Sequence, residues 1–549
     1  MAQFGRLWRT VRWLKAEQVL GRVRLQLRLR LQSRSPRPNL GAAPPVRAAQ
    51  AVWVPPPARV ASLVGPTRMH FLAEEHDLAD VGWDAPGIAL LWRYNQHYFD
   101  DLNAAGAVAR REWHRALVQR WLAENPPALG TAWAPYPVSL RLVNWVKWFV
   151  GGELPAPAWV HSLAVQARWL MRRIEWHLLG NHLLANAKAL VFAGLYFEGP
   201  EGDAWLAEGL RIIERELPEQ ILSDGAQFER TPMYHALALE DLLDLINVIA
   251  ARAPAASVAQ GLVPQLRLHC QAMLHWLRCM RHPNGALARF NDCAEGIAPK
   301  TADLERYAAA LGIVAPPASS EGVYALQPSG YVRAVRGSAV ALLDVAPIGP
   351  DYLPGHAHAD TLSFELSVHG REVIVNRGTS VYGSGPRRQI ERGTAAHSTV
   401  QIGAHDSSEV WAGFRVGRRA RPGPLSMQGW VVECSHDGYA HLPGAPRHRR
   451  RWHLDAAALL VDDRLEPLAC ESAVARFHLA PGLSIEREDV RTWRIHDGRA
   501  LAARATVLAG HAMLETTQHA QRFGTLVEAM TLVVRLDAGS SSVRWSWDN

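Results

Sequence analysis

Two imidazoles, His356 and His358 in Gly355-His356-Ala357-His358-Ala359-Asp360, stand directly ahead of an alternating run from Thr361 to Val368. A strand beginning there would project both rings from one face, where they and a carboxylate can hold a divalent metal or exchange protons with a sugar. Two surface histidines beside a turn fit the same spacing. Three further segments carry chemistry-bearing side chains. Asn181-His182 opens an apolar helical run, with Asn181 placed as an N-cap. In Gln227-Phe228-Glu229-Arg230-Thr231-Pro232-Met233-Tyr234-His235, Thr231 and Pro232 account for a helix start. They leave Gln227, Glu229, Arg230, Tyr234 and His235 crowded around one turn, as a binding site would have them. Asn376, Arg388, Arg392 and His397 recur near the ends of two later strands. There His358, Asn376 and His397 can form a three-point cluster, or be unrelated polar residues.

These residues need elements to hold them. Residues 1–66 read as a basic arm followed by a Pro/Ala-rich linker. From 67 to 318 apolar residues recur at three- and four-residue spacing, in Arg110–Glu124, Ser139–Val150, Ala158–Leu179, His182–Phe197, Ala204–Glu216, Met233–Ala251 and Leu262–Met280. Helices in series with no fixed repeat length suggest a toroid in preference to a regular solenoid. From 319 to 549 short alternating runs separated by turn residues predict an antiparallel β-sandwich.

Composition bounds the rest. A chain of 549 residues exceeds one core, and 48% apolar with 20% charged residues is that of a soluble globular protein. Most of the 21 tryptophans are expected in helix–helix cores, the remainder being available to sugar rings. Residues 1–37 hold ten Arg or Lys against Glu17, a local +9 in a chain of net +7, so the remainder carries −2. The body therefore gives no reason to invoke nucleic acid. The arm can lie on an anionic membrane as a helix, or stay a solvated leader. Arginines interrupt its only candidate signal core, so a cytoplasmic or inner-membrane-associated protein is expected, with the periplasm as alternative. Five cysteines without CxxC spacing read as free, packed thiols.

In their order, Asn181-His182, Phe228-Glu229-Arg230-Thr231-Pro232-Met233-Tyr234-His235, the segment from Gly355, Asn376-Arg377-Gly378-Thr379 and Arg392-Gly393-Thr394-Ala395-Ala396-His397 resemble the heparinase II/III polysaccharide lyases, relatives of oligo-alginate lyases. The resemblance spans about residues 90 to 535. It implies an incomplete (α/α) toroid followed by an antiparallel β-sandwich, with β-elimination at uronic acids in the cleft between them. By position it implies Asn181 and His182 at the substrate carboxylate, with Tyr234 and His356 as catalytic residues. It also implies a structural divalent metal (zinc, or manganese or calcium) on His358, His397 and position 376, and no organic cofactor. The family's aspartate at that position is Asn376 here, one negative charge fewer. Gln227, Glu229, Arg230 and His235 are expected at the substrate, with Arg388 and Arg392 on further carboxylates or sulfates. For base work the Tyr234 pKa must fall, with Arg230, Arg388 or His235 as the cations that lower it. The expected partner is an anionic polysaccharide. Two readings compete: a glycoside hydrolase using paired carboxylates such as Glu229 and Asp292, and a non-catalytic binding or assembly protein for a cell-surface polysaccharide.

Overall fold

The computed structural model describes residues 2–30, 38–317, 320–468 and 472–548. Cys470, Leu31 to Arg37 and the expected boundary at 318/319 fall outside them. Two arm helices, α1 (Ala2–Val11) and α2 (Ala16–Arg30), precede a hairpin of β1 (Arg68–Phe71) and β2 (Glu74–Asp77). The helical half follows as α3 (Leu78–Val81), α4 (Leu90–Tyr98), α5 (Arg111–Glu124), α6 (Pro135–Val150), α7 (Pro157–Met171), α8 (Gly180–Tyr196), α9 (Pro200–Gln220), α10 (Pro232–Arg252), α11 (Val263–Cys279) and α12 (Thr301–Ala310). Prolines in the first turn start α6, α7, α9, α10 and α11, where the missing N–H costs nothing. Nearly every residue of α8 is buried, because α6, α9 and α10 surround it. Its approach to α9 is set by glycine: a Cβ on Gly194 would stand 2.5 Å from the Leu206 amide nitrogen. Trp92, Trp121, Trp145, Trp148 and Trp205 fill this core, as expected of most tryptophans.

The sheet half begins with an antiparallel five-stranded sheet, β3 (Gly322–Leu326), β4 (Tyr331–Arg336), β5 (Ala339–Asp344), β6 (Phe364–Val368) and β7 (Arg371–Ile374), paired in chain order. A four-stranded sheet contains Val400–Ile402, Ala473–His478, His511–Arg522 and Thr525–Arg535, and an eight-stranded sheet runs from Ser426–Gln428 to Leu483–Arg487 at its edges. Residues of all three sheets, Leu366, Phe477 and Trp545 among them, share one core. The long strands Ala500–Ala509 and His511–Arg522 are not evident from apolar alternation, since the buried positions of the first include Ala503 and Ala505 and those of the second are His519 and Ala520.

Apolar contact joins the halves: Trp276, Met280 and Phe290 pack on Tyr331, Val340 and Leu342. Polar bonds fix the register there, with Tyr331 Oη donating to Arg230 O at 2.6 Å and His282 bonding Glu365 Oε2 at 2.7 Å. Cys270, Cys279, Cys293 and Cys434 are buried cysteines.

Candidate active site

A cavity of about 520 Å³ lies along this junction, lined from the helical half by Asn181, His182, Glu229 and Tyr234 and from the sheet half by His356, Tyr382 and Phe414. Asn181 is not the cap of α8; Leu179 is, at φ 62°, followed by Gly180 at φ 56°. These two left-handed residues turn the chain so that Asn181 and His182 occupy the first turn and face the cavity. His182 stacks on Tyr136 with ring centroids 4.4 Å apart and meets Glu175 Oε2 at 3.3 Å through Nδ1.

Tyr234 enters from the first turn of α10. Thr231 is the residue before that helix, but its hydroxyl donates to the Asp292 carbonyl instead of capping. The Tyr234 ring lies 4.0 Å from the His356 ring, centroid to centroid, and its hydroxyl is 3.0 Å from that of Tyr382. A phenol and an imidazole from opposite halves thus meet in one cavity.

The histidine pair lies in a loop before β6 and not on a strand. Both rings nevertheless reach one carboxylate. His356 Nδ1 donates to Asp292 Oδ2 and His358 Nε2 to Asp292 Oδ1, each at 2.8 Å. Arg388 binds both Asp292 oxygens, and Thr379 donates to Oδ1 at 3.1 Å. Burial would raise the Asp292 pKa, but Arg388 and the two histidines hold it well below the carboxylate range. Because an ionised carboxylate only accepts, His356 carries a proton on Nδ1, and its Nε2 faces the cavity, 3.6 Å from Glu229 Oε2. Asp292 and Tyr382 carry weight that sequence reading did not give them. In the sequence Asp292 stands out only as a carboxylate for hydrolysis, and Tyr382 lies six residues beyond Asn376 with no motif to mark it.

Several expected substrate contacts are corrected. His235 is fully buried, accepting from the Gln227 amide at 3.1 Å and bonding Met273 O at 2.9 Å. Gln227 is also buried, bracing Glu229 through its side chain. Arg392 is spent on the carbonyls of Ala357, Ala412, Gly413 and Arg415, and Arg388 on Asp292 and Gly413 O. Arg230 points away from the cavity into another groove, donating to Ser329 O. Glu229 alone of these lines the cavity, its pKa raised by burial. The expected lowering of the Tyr234 pKa is also reversed: burial, then the neighbouring Tyr382, push it well above the ordinary range.

Of the expected metal ligands, His358 Nδ1 and His397 Nε2 face each other at 3.3 Å. Asn376 is committed elsewhere, its Oδ1 accepting the Ser398 amide at 3.0 Å and its Nδ2 directed to Ser363. Two nitrogen donors without a third do not complete a metal's ligand set, and among the described residues no group of three or more His, Cys, Asp or Glu is placed to hold an ion. A relay remains in which His397 donates to His358 and His358 to Asp292, with the buried His397 Nδ1 left without a hydrogen-bond partner. The same relay recurs away from the cavity, through His436, His448, Asp463 and Arg450.

The arm lies across the cavity. Leu7, Thr10, Val11, Leu14, Gln18 and Arg22 contribute to its lining. Arg9 forms a forked pair with Glu409 of the sheet half, and Lys15 bonds Glu219 of the helical half at 2.7 Å.

Sequence comparison agrees with this architecture. Residues 103–310 match the model described as heparinase II/III N-terminus, and residues 319–548 match heparinase II/III-like, C-terminal. The chain belongs to the heparinase II/III family. Among family relatives, the heparin-sulfate lyase of Bacteroides stercoris is 33% identical over 200 residues, 30% of each chain. FtsZ-localized protein C of Caulobacter vibrioides is 27% identical over 372 residues, 63% of this chain and 59% of that one. The chain thus matches less than two thirds of the length of either curated relative. The crystal structure of heparinase III shares the fold at TM-score 0.65 and 18% identity, covering 82% of this chain and 76% of that one. The Streptomyces coelicolor chondroitin AC lyase shares it at TM-score 0.51 and 11% identity, covering 88% and 77%.

Proposed function

We propose that the chain is a polysaccharide lyase cutting a uronate-containing anionic glycan by β-elimination, leaving a 4,5-unsaturated uronate end. The observation that carries this reading is the meeting of Tyr234 and His356 beside the Asn181-His182 turn. A C5 proton beside a carboxylate is weakly acidic, so the acid group must be neutralised as charge moves onto it. Asn181 and His182 bind that carboxylate and stabilise the enediolate. His356 Nε2, its other nitrogen tied to Asp292, takes the C5 proton. The C5–H electrons become the C4=C5 double bond, the C4–O4 bond breaks, and Tyr234, held neutral by burial, gives its proton to O4. The names of the heparin-sulfate lyase relatives favour a glycosaminoglycan.

Tyr234→Phe is expected to lower release of ultraviolet-absorbing unsaturated product by about 10²–10⁴ while circular dichroism is unchanged. Full activity in that variant would remove the reading. Hydrolysis by paired carboxylates finds no support, because Asp292 is wholly buried and engaged by four side chains. A non-catalytic assembly role keeps one observation in its favour, the relative named for localisation with FtsZ. Saturable glycan binding without product from the unmodified chain would select it.

We further propose peripheral membrane contact through the arm. Phe4, Trp8, Leu20, Val23 and Leu27 face solvent beside Arg24, and among the described residues no helix is long and apolar enough to cross a membrane. A divalent ion on His358 and His397 would be held weakly. Asn376→Asp is expected to raise zinc content in elemental analysis of the purified protein, by restoring a third, charged donor.

A further inference from the structure

Trp13 joins α1 to α2, and three guanidinium groups surround its indole. Arg12, Arg419 and Arg421 lie 4.7, 5.0 and 5.8 Å from the ring centroid. The Arg419 side chain is 6% exposed and pairs through Nη1 with Asp351. Its Nε and Nη2, and Trp13 Nε1, are buried without a hydrogen-bond partner. Buried N–H groups are nearly always satisfied, and leaving a charged one unpaired costs more than a neutral one. Three orphan donors at one place call for an acceptor.

They border a groove of about 950 Å³, distinct from the elimination cavity, whose walls carry Arg230, Arg419 and Arg421 against one carboxylate, Asp351. Of the acids near Arg230, Asp224 is taken by the Ser329 amide and hydroxyl, and burial, then Asp360 nearby, push the Asp344 pKa well above the carboxylate range. The groove therefore keeps an excess of positive charge. It is also adjacent to the cavity. Asp351 borders both, Tyr352 to Pro354 turn into the cavity, and Glu229 and Arg230 are successive residues that face one each.

We propose that this groove is a second binding site for carboxylate or sulfate groups of an acidic glycan, holding a stretch of the substrate outside the reacting sugar. The proposal rests on the lyase reading above. Guanidinium groups bind such oxyanions in forked pairs, and Arg419, Arg421 and the Trp13 N–H are the donors on offer. An anion seated here touches the arm through Trp13, so substrate length is sensed by the same segment that lies across the cavity.

The test uses the full chain carrying Tyr234→Phe, which binds without turnover, titrated calorimetrically with a heparan-sulfate hexasaccharide and a disaccharide. Adding Arg419→Gln and Arg421→Gln is expected to weaken hexasaccharide binding roughly tenfold or more and to leave the disaccharide unaffected. Arg421→Gln alone, at an exposed side chain that folding does not need, is expected to show part of that loss. Equal hexasaccharide affinity with and without the arginines overturns the groove while leaving the cavity reading intact. Absence of binding by the Tyr234→Phe chain itself overturns both. Loss confined to phosphatidylglycerol vesicles, with the hexasaccharide titration unchanged, assigns the groove to lipid and also overturns the proposal.

Discussion

Asp292 sets the protonation of the site by what it is bonded to. Among its four side-chain partners it holds the His356 Nδ1 proton and neutralises the buried Arg388. Asp292→Ala would strand a buried guanidinium, so a loss of about 3–5 kcal/mol in denaturant unfolding is expected, well beyond the effect of Tyr234→Phe. At this scale the sequence is legible where side-chain type and neighbours suffice, as for Tyr234, His356, Asn181 and His182, which do converge. It is illegible where long-range packing decides. Nothing local distinguishes Arg230, which opens onto another groove, from Glu229 beside it, and nothing marks Arg392 as a clamp on backbone carbonyls. The aromatic lining of the cavity is likewise tyrosine and Phe414, while the abundant tryptophans are mostly core.

The helices that carry Asn181 and Tyr234 are placed by close packing of small residues. Gly194 of α8 lies against the α9 backbone, so Gly194→Ala forces a methyl into space already filled by Gly202 O and Leu206 N. Overpacking of this kind is expected to cost about 1–3 kcal/mol, read as a lower denaturation midpoint. Activity should fall further than stability, since α8 bears the Asn181-His182 turn that lines the cavity. Apolar periodicity revealed α8 and α10 to within a few residues, but began α6 and α9 at Ser139 and Ala204, past the prolines that start them. It merged α7 with the loop after Met171, because Trp176 and Leu178 continue the apolar spacing beyond the helix. The arm shows the opposite limit. Its charge and amphipathic spacing were plain, but its seat depends on Glu219 and Glu409, residues that no local pattern connects to it.

Across the whole molecule, buried neutral histidines link stability to pH. His97 accepts from Trp121 Nε1 and bonds Thr131, and His235 is closed between Gln227 and Met273, so neither has room for a second proton. Burial pushes both down to about 3. An unfolded histidine titrates near 6.5, so the contribution of these two is fully present above about pH 6.5 and drains as pH falls toward 3. Each contributes about 1.4 kcal/mol of loss per pH unit across that window. Asp360, raised to about 6 by burial, offsets part of it. The melting temperature is therefore expected to fall steadily from pH 6.5 to 4, and a flat profile would contradict the buried neutral state. The two-part architecture was legible throughout, since helical periodicity gives way to alternation at one point. The order of strands in the eight-stranded sheet was not, because pairing partners such as Ala458–Glu466 and Ser540–Ser546 are separated by the six strands from Ala473–His478 to Thr525–Arg535.

Arg9 and Thr10 are bonded to Glu409 and Trp411, 400 and 401 residues further along the chain. At ribosomal rates of about 5–20 residues per second, they are synthesised on the order of tens of seconds before those partners emerge. The arm thus docks late, and until translation passes Trp411 the nascent chain carries this cavity uncovered.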